Sequence, residues 1–310
     1  MQSLTTAKLP IPSQSILLYN SAMPAFSRRH FLHSALFSAA AVQGKATDWV
    51  TLGKSKITVT RLAFGTGTFG GRVQRSLGQD EFTRLVRYAY DRGIRFFETA
   101  ESYGEMHKML GIALKGIPRD TYRLMSKVTT RPTTNPLEKI DELRALAQTD
   151  YFDILLLHNQ RVATWPSDSR PWQDALSEAK HKQSILSHGA SVHGLPALRQ
   201  FPGNPWLDVT LSRINHNGTR MDAEDYAARG PGNVPEVVSH LTKVHAQGIG
   251  LIGMKLIGEG AFTNRKDRQK AMRFAFQNAK VDCVTIGYKS PAEIDEAIEN
   301  LNLALAANPL

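Results

Sequence analysis

Short apolar runs recur along the chain at regular intervals. From residue 49 onward, runs rich in β-branched and other apolar side chains, bounded by polar residues or glycine, fall at 61–64, 95–99, 123–128, 153–158, 185–193, 208–215, 249–256 and 283–287. Each has the length of a buried strand, and the intervening segments carry helical periodicity. Phe82, Leu85, Val86 and Ala89 line one face of 80–91; Leu137, Ile140, Leu143 and Leu146 do so in 136–148; Ile294, Ile298, Leu301 and Leu305 in 291–306. Such stripes must be buried against another layer. Eight strand-then-helix units in about 260 residues predict an α/β fold of the (β/α)8 TIM-barrel type. Ahead of them, 49–59 with a turn at 53–56 predicts an N-terminal β-hairpin that plugs the bottom of the barrel. The chain thus divides into 1–46, a leader, and 47–310, the barrel.

A doubly wound open sheet is the rival architecture. Gly65, Gly67 and Gly70 in Gly65-Thr66-Gly67-Thr68-Phe69-Gly70-Gly71 have the spacing of a dinucleotide-binding turn. That turn opens directly into a helix, whereas helical periodicity begins here only near Asp80, so the glycines predict a loop.

The 310 residues are 42% apolar, which supports a large core and excludes a disordered or fibrous chain. Cys283 is the single cysteine, so intrachain disulfides, iron–sulfur clusters and thiolate zinc sites are excluded. Basic residues exceed acidic ones by 38 to 28, but the first 47 residues hold Lys8, Arg28, Arg29 and Lys45 and no acid. What remains is a modest excess with no Lys/Arg run longer than a pair, which predicts no nucleic-acid surface. Residues 27–33, Ser-Arg-Arg-His-Phe-Leu-His, run into a small apolar stretch at 34–42. This resembles a twin-arginine export signal cut near Ala41 or Ala46. It implies the twin-arginine export machinery as a partner, passage in the folded state, and a periplasmic destination. The apolar part is about half the roughly 20 residues of a spanning helix, so no stable membrane anchor is expected.

In a barrel of this kind, chemistry gathers at the C-terminal strand ends. The second, third and fourth strands end in Glu98, Lys127 and His158, and Tyr103 follows just beyond the second. A lysine closing a buried apolar strand needs a partner, and Glu98 on the neighbouring strand has the right charge. A phenol beside that ammonium would have its phenolate stabilised and could pass a proton at neutral pH, as carbonyl reduction requires.

With these residues in order on consecutive strands, residues 49–301 resemble the aldo-keto reductases. The likeness rests on Gly65-Thr66-Gly67-Thr68-Phe69-Gly70, Phe97-Glu98-Thr99-Ala100-Glu101-Ser102-Tyr103-Gly104, Ser126-Lys127 and Asp153-Ile154-Leu155-Leu156-Leu157-His158. The resemblance implies an NAD(P)H-dependent oxidoreductase that reduces an aldehyde, ketone or sugar carbonyl to an alcohol. Tyr103 would be its proton donor, Lys127 the residue lowering the pKa of that phenol, Glu98 the carboxylate holding Lys127, and His158 the group orienting the carbonyl. NADP or NAD would lie extended across the barrel mouth, against Gly65, Thr66, Ser191, Arg213, Met254, Lys255, Gly287, Ser290 and Glu296. The chain departs from the family at several of these places. Glu98 stands for an aspartate, Val192 follows Ser191 where an asparagine is usual, Arg213 replaces a glutamine, and Met254 replaces the aromatic that covers the nicotinamide. Glu293 stands where an arginine grips the adenosine 2′-phosphate, although the helix start at Ser290 is an anion cradle.

Two long connections, 159–171 with Arg161, Trp165 and Pro166, and 217–235 with Arg220, Asp225 and Tyr226, are expected to shape the substrate site. Two further readings stay open. His158, His188, His193 and His216, with Glu98, could ring a divalent metal for hydrolysis or isomerisation. Alternatively Glu98, Val192, Met254 and Glu293 record lost catalysis in an exported barrel that binds ligand or nucleotide.

Overall fold

The computed structural model describes residues 44–132, 134–225 and 231–306. The leader call at 27–42 lies outside the described residues. Two short antiparallel strands, β1 (Trp49–Thr51) and β2 (Thr58–Thr60), form the hairpin, with Trp49 opposite Thr60. The chain then alternates through β3 (Leu62–Gly65), α1 (Arg72–Arg75), α2 (Gly78–Asp91), β4 (Phe96–Glu98), α3 (Met106–Leu114), β5 (Arg123–Val128), α4 (Pro136–Leu146), β6 (Ile154–Gln160), α5 (Trp165–Asp168), α6 (Arg170–His181), β7 (His188–Val192), α7 (Leu195–Leu198), β8 (Val209–Arg213), α8 (Val234–Ala246), β9 (Gly250–Met254), α9 (Arg265–Gln277), β10 (Cys283–Gly287) and α10 (Pro291–Ala306). Strands β3 to β10 are parallel and close into a barrel in sequence order, with β10 returning beside β3.

All eight expected barrel strands are present, and so is the hairpin. Local chemistry explains where helices begin. Asn135, Asn233 and Asn264 each accept a backbone N–H of the first helical turn through the side chain, which satisfies a donor the helix itself leaves open. Pro136 opens α4 at a position where a missing N–H costs nothing.

Two apolar layers follow from the period-two alternation of strand side chains. Phe97, Leu124, Leu155, Leu157, Ala190 and Val284 face outward and pack under the helices. Ala63, Phe96, Met125, Ile154, Leu156, Val209, Ile252 and Cys283 point inward and fill the barrel with Leu52 and Val59 of the hairpin region. The hairpin closes the N-terminal end: Lys54 N donates to Gly248 O at 2.6 Å and Gly53 bridges to Ile249. At the other end the inward positions turn polar.

The segment just ahead of the hairpin is already part of the packing. Ala46 is fully buried, its N–H donates to Asn302 Oδ1 at 2.7 Å, and its carbonyl accepts from Leu62 N at 2.9 Å. No helix among the described residues is long and apolar enough to cross a membrane.

Candidate active site

Inward parity carries Glu98, Lys127 and His158 upward from the apolar core. Phe96 and Glu98 share one face of β4, Met125 and Lys127 one face of β5, and Leu156 and His158 one face of β6. Lys127 is only 1% exposed and donates to Glu98 Oε1 and, at 2.9 Å, to Thr99 O. Glu98 Oε2 also accepts from Thr285 Oγ1 on β10 at 3.3 Å. With the longer side chain that stands for an aspartate, Glu98 thus reaches both Lys127 and β10.

Tyr103 sits on a single 3-10 turn, Glu101–Tyr103, directly after β4. Arg75 fastens that turn to the glycine loop by donating to Tyr103 O and, at 2.8 Å, to Gly70 O. The Lys127 ammonium stands over the Tyr103 ring, 4.9 Å from its centroid, with two of its three donors on Glu98 and Thr99. Burial, with the Glu259 carboxylate adding to it, pushes the Tyr103 phenol above its ordinary value. The expected lowering by Lys127 is therefore corrected: the resting phenol is firmly protonated, because its surroundings disfavour the phenolate. His158 stands edge-on to that ring with centroids 5.6 Å apart, and its Nδ1 is engaged by Ser102 Oγ at 3.1 Å. Burial and the cations Lys127, Lys255 and Arg161 pull His158 well below the usual histidine range, so it is a neutral imidazole.

From these groups a cleft of about 480 Å³ runs across the barrel mouth to the helices α9 and α10. Glu98, Tyr103 and Met254 line one end, and Arg268, Glu296 and Asn300 the other. Of the expected cofactor residues, Gly65, Met254, Lys255, Gly287 and Glu296 line this cleft. Lys255 is tied to Glu259 at 2.5 Å, and Glu259 also accepts from Phe69 N at 3.4 Å, so these two loops meet over the cleft. Glycine is required at the floor, where a Cβ on Gly287 would come within 2.2 Å of Thr68 Oγ1 and one on Gly67 within 2.6 Å of Tyr103 Oη.

The other expected positions sit elsewhere. Thr66 is fully buried in the wall, and Thr68 faces the cleft instead. Ser191 is fully buried and its Oγ accepts from Asn159 N at 2.9 Å. Arg213 turns to the buried Asp222, 3.7 Å away. Ser290 caps α10, accepting from Glu293 N at 3.4 Å. Trp165, expected in a substrate loop, is core: it opens α5, packs edge-on to Phe201 at 6.1 Å and donates to Ala197 O. Tyr226 lies outside the described residues. The four histidines do not converge, which overturns the metal reading. His158 and His193 are 6.2 Å apart, but His188 stacks on Trp206 and His216 packs on Phe262. Among the described residues no three His, Cys, Asp or Glu side chains group as metal ligands.

Residues 61–273 match the model of the "Aldo/keto reductase family", well over half the chain. The chain belongs to this family. L-galactose dehydrogenase of Arabidopsis thaliana is 25% identical over 277 residues, covering 80% of this chain and 86% of its own. Among solved structures, the holo form of an aldo-keto reductase from Bacillus halodurans aligns with a TM-score of 0.65 at 19% identity, over 85% of this chain and 92% of its own. An aldo-keto reductase from Klebsiella pneumoniae in complex with NADPH aligns with a TM-score of 0.61 at 15% identity, over 81% and 88% of the two chains. At those identities the structures speak for the fold alone. As an aldo-keto reductase, the protein is an NAD(P)-dependent oxidoreductase, and its cleft suits a nicotinamide dinucleotide. The volume is that of a ligand pocket, the floor is kept flush by glycines, and two buried wall groups, Tyr288 Oη and Asn300 Oδ1, have no protein partner.

Sequence reasoning missed Thr285, Glu259, Arg268 and Asn300. Of these, only Glu259 carries a local sign, its spacing of four residues from Lys255.

Proposed function

We propose that the protein reduces a small-molecule carbonyl to an alcohol, with Tyr103 as proton donor, after export through the twin-arginine route. The observation that carries this is the Tyr103 phenol standing between His158 and the buried Lys127–Glu98 pair at the mouth of a cleft of about 480 Å³. When bound, the nicotinamide supplies the hydride. The chain supplies the proton and the field. Tyr103 Oη gives its proton to the carbonyl oxygen as negative charge develops there, and the Lys127 ammonium over the ring stabilises the phenolate left behind. A neutral imidazole at His158 can donate one hydrogen bond to the carbonyl oxygen without competing for its proton. Burial and Lys255 pull the Lys127 amine well below its ordinary value, and the Glu98 carboxylate paired with it holds it in place, since an unpaired ammonium at this depth is costly.

Met254 covers the cofactor end of the cleft with a polarizable thioether in place of a ring. The burial of Ala46 supports cleavage of the export signal ahead of residue 44, because a cut at 46 would strip hydrogen bonds to β3 and α10. The first test is titration of the purified chain with NADH and NADPH by tryptophan fluorescence, followed by carbonyl-dependent oxidation of whichever binds. Binding with turnover supports the reductase reading. Binding with no turnover on any aldehyde, ketone or sugar would leave the impaired-barrel reading in its place.

A further inference from the structure

The far end of the cleft carries chemistry that Tyr103 does not use. The nicotinamide must lie beside the proton donor, so an extended dinucleotide places its adenosine against α9 and α10. There the cleft is lined by Arg268, Lys289, Glu293, Glu296 and Asn300. Both cations already face carboxylates of the chain. Arg268 grips Glu296 in two parallel hydrogen bonds of 2.6 and 2.9 Å and spends Nη1 on Phe262 O at 2.9 Å. That geometry is the strong bidentate kind. Lys289 Nζ faces the Glu293 carboxylate at 3.9 Å.

The start of α10 is committed too. Helix N-termini attract anions through open N–H groups and the helix dipole. Here the helix closes on itself: Glu293 N donates to Ser290 Oγ, and the Glu293 carboxylate reaches back to accept Lys289 N at 2.8 Å. A carboxylate of the chain's own occupies the place an incoming phosphate would take. What remains unengaged are acceptors and one hydroxyl. Asn300 is 2% exposed; its Nδ2 donates to Glu296 at 3.2 Å, which leaves Oδ1 without a partner, as is Tyr288 Oη. Ribose hydroxyls and an adenine amino group can donate to such acceptors. A phosphate dianion brings only acceptors and charge: the Glu293 carboxylate repels it, Asn300 Oδ1 offers it no proton, and only the Tyr288 hydroxyl could donate to it.

We propose that this aldo-keto reductase is built for NADH and NAD⁺ rather than their 2′-phosphorylated counterparts, with Glu293 as the residue that excludes the phosphate. The inference rests on the nucleotide reading of the cleft. Parallel calorimetric titrations of the full chain with NADH and NADPH test it without any substrate. The expected result is NADH bound at least about tenfold more tightly, a difference of about 1.4 kcal/mol. Glu293→Gln should narrow that ratio and Glu293→Arg should reverse it. NADPH bound as tightly as NADH by the unmutated chain would overturn the inference while leaving the reductase reading standing. Failure of both to bind would overturn the nucleotide reading, and the inference with it. A ratio unmoved by Glu293→Gln, in a variant with native circular dichroism, would remove Glu293 from the role.

Discussion

Tyr103 makes its case through what surrounds it. The phenol lies against Gly67, under the Lys127 ammonium and beside His158, and burial holds it protonated. Tyr103→Phe removes one hydroxyl and little volume. Steady-state assays should show kcat reduced by about 10²–10⁴-fold, the usual worth of a positioned acid, while nucleotide binding stays unchanged. Full turnover in that variant would eliminate Tyr103 as the donor. Lys127 invites a different measurement, because its pair is buried on both sides. Lys127→Met leaves Glu98 as an uncompensated buried carboxylate and should lower stability by about 3–5 kcal/mol in urea unfolding, beyond its effect on turnover. The quartet of side chains was legible in the sequence because each follows a strand of clear periodicity. The state of the phenol was not. It depends on Glu259, which lies 156 positions further along the chain, and on a depth of burial no local pattern records.

Connecting segments hold what periodicity could not show. The glycine loop after β3 was expected from its spacing, and the structure gives Gly67 a steric duty: its missing Cβ is the room Tyr103 Oη occupies. Gly67→Ala should therefore push the phenol out of register, lowering kcat in kinetic assays while the melting temperature of the barrel holds. In the connection at 159–171, Trp165 is withdrawn from the cleft because it pairs with Phe201, a partner 36 residues away, and opens α5. In the loop after β8, Asp222 is buried beside Arg213, and burial raises its carboxyl from the ordinary 3.8 to about 7, with Arg213 and the Gly194 amide acting against that rise. The unfolded chain releases this proton near pH 4, whereas the folded chain keeps it to about 7. Stability must then fall as pH climbs through that window. Asp222→Asn cannot titrate, so its thermal midpoint should gain on the parent between pH 5 and 8, by up to a few kcal/mol in stability terms. A gap that shrank with rising pH would contradict this.

Eight apolar runs at regular spacing are enough to specify the barrel, since a parallel closed sheet demands buried strands and covering helices in strict alternation. The same regularity cannot say which rim residues meet across the mouth, because that is set by closure. Barrel closure lays β10 against β3, so the last units of the chain join the first: Thr285 reaches Glu98, and Tyr288 O accepts from Gln74 Nε2 at 3.1 Å. The nucleotide cleft straddles this seam, lined on one side by β3, β4 and their loops and on the other by β9, β10, α9 and α10. A ligand there would hold the two ends of the barrel together and stabilise the whole fold instead of one loop. With NADH about 100-fold above its dissociation constant, linkage contributes about 2.7 kcal/mol, equivalent to roughly 5–10 °C in melting temperature for a domain of this size. Differential scanning fluorimetry checks the size, and hydrogen exchange checks the place: protection should rise together in β3 and α10, which share no sequence neighbourhood. Protection confined to the loop around Glu259 would mean that the ligand fastens the rim without bridging the seam.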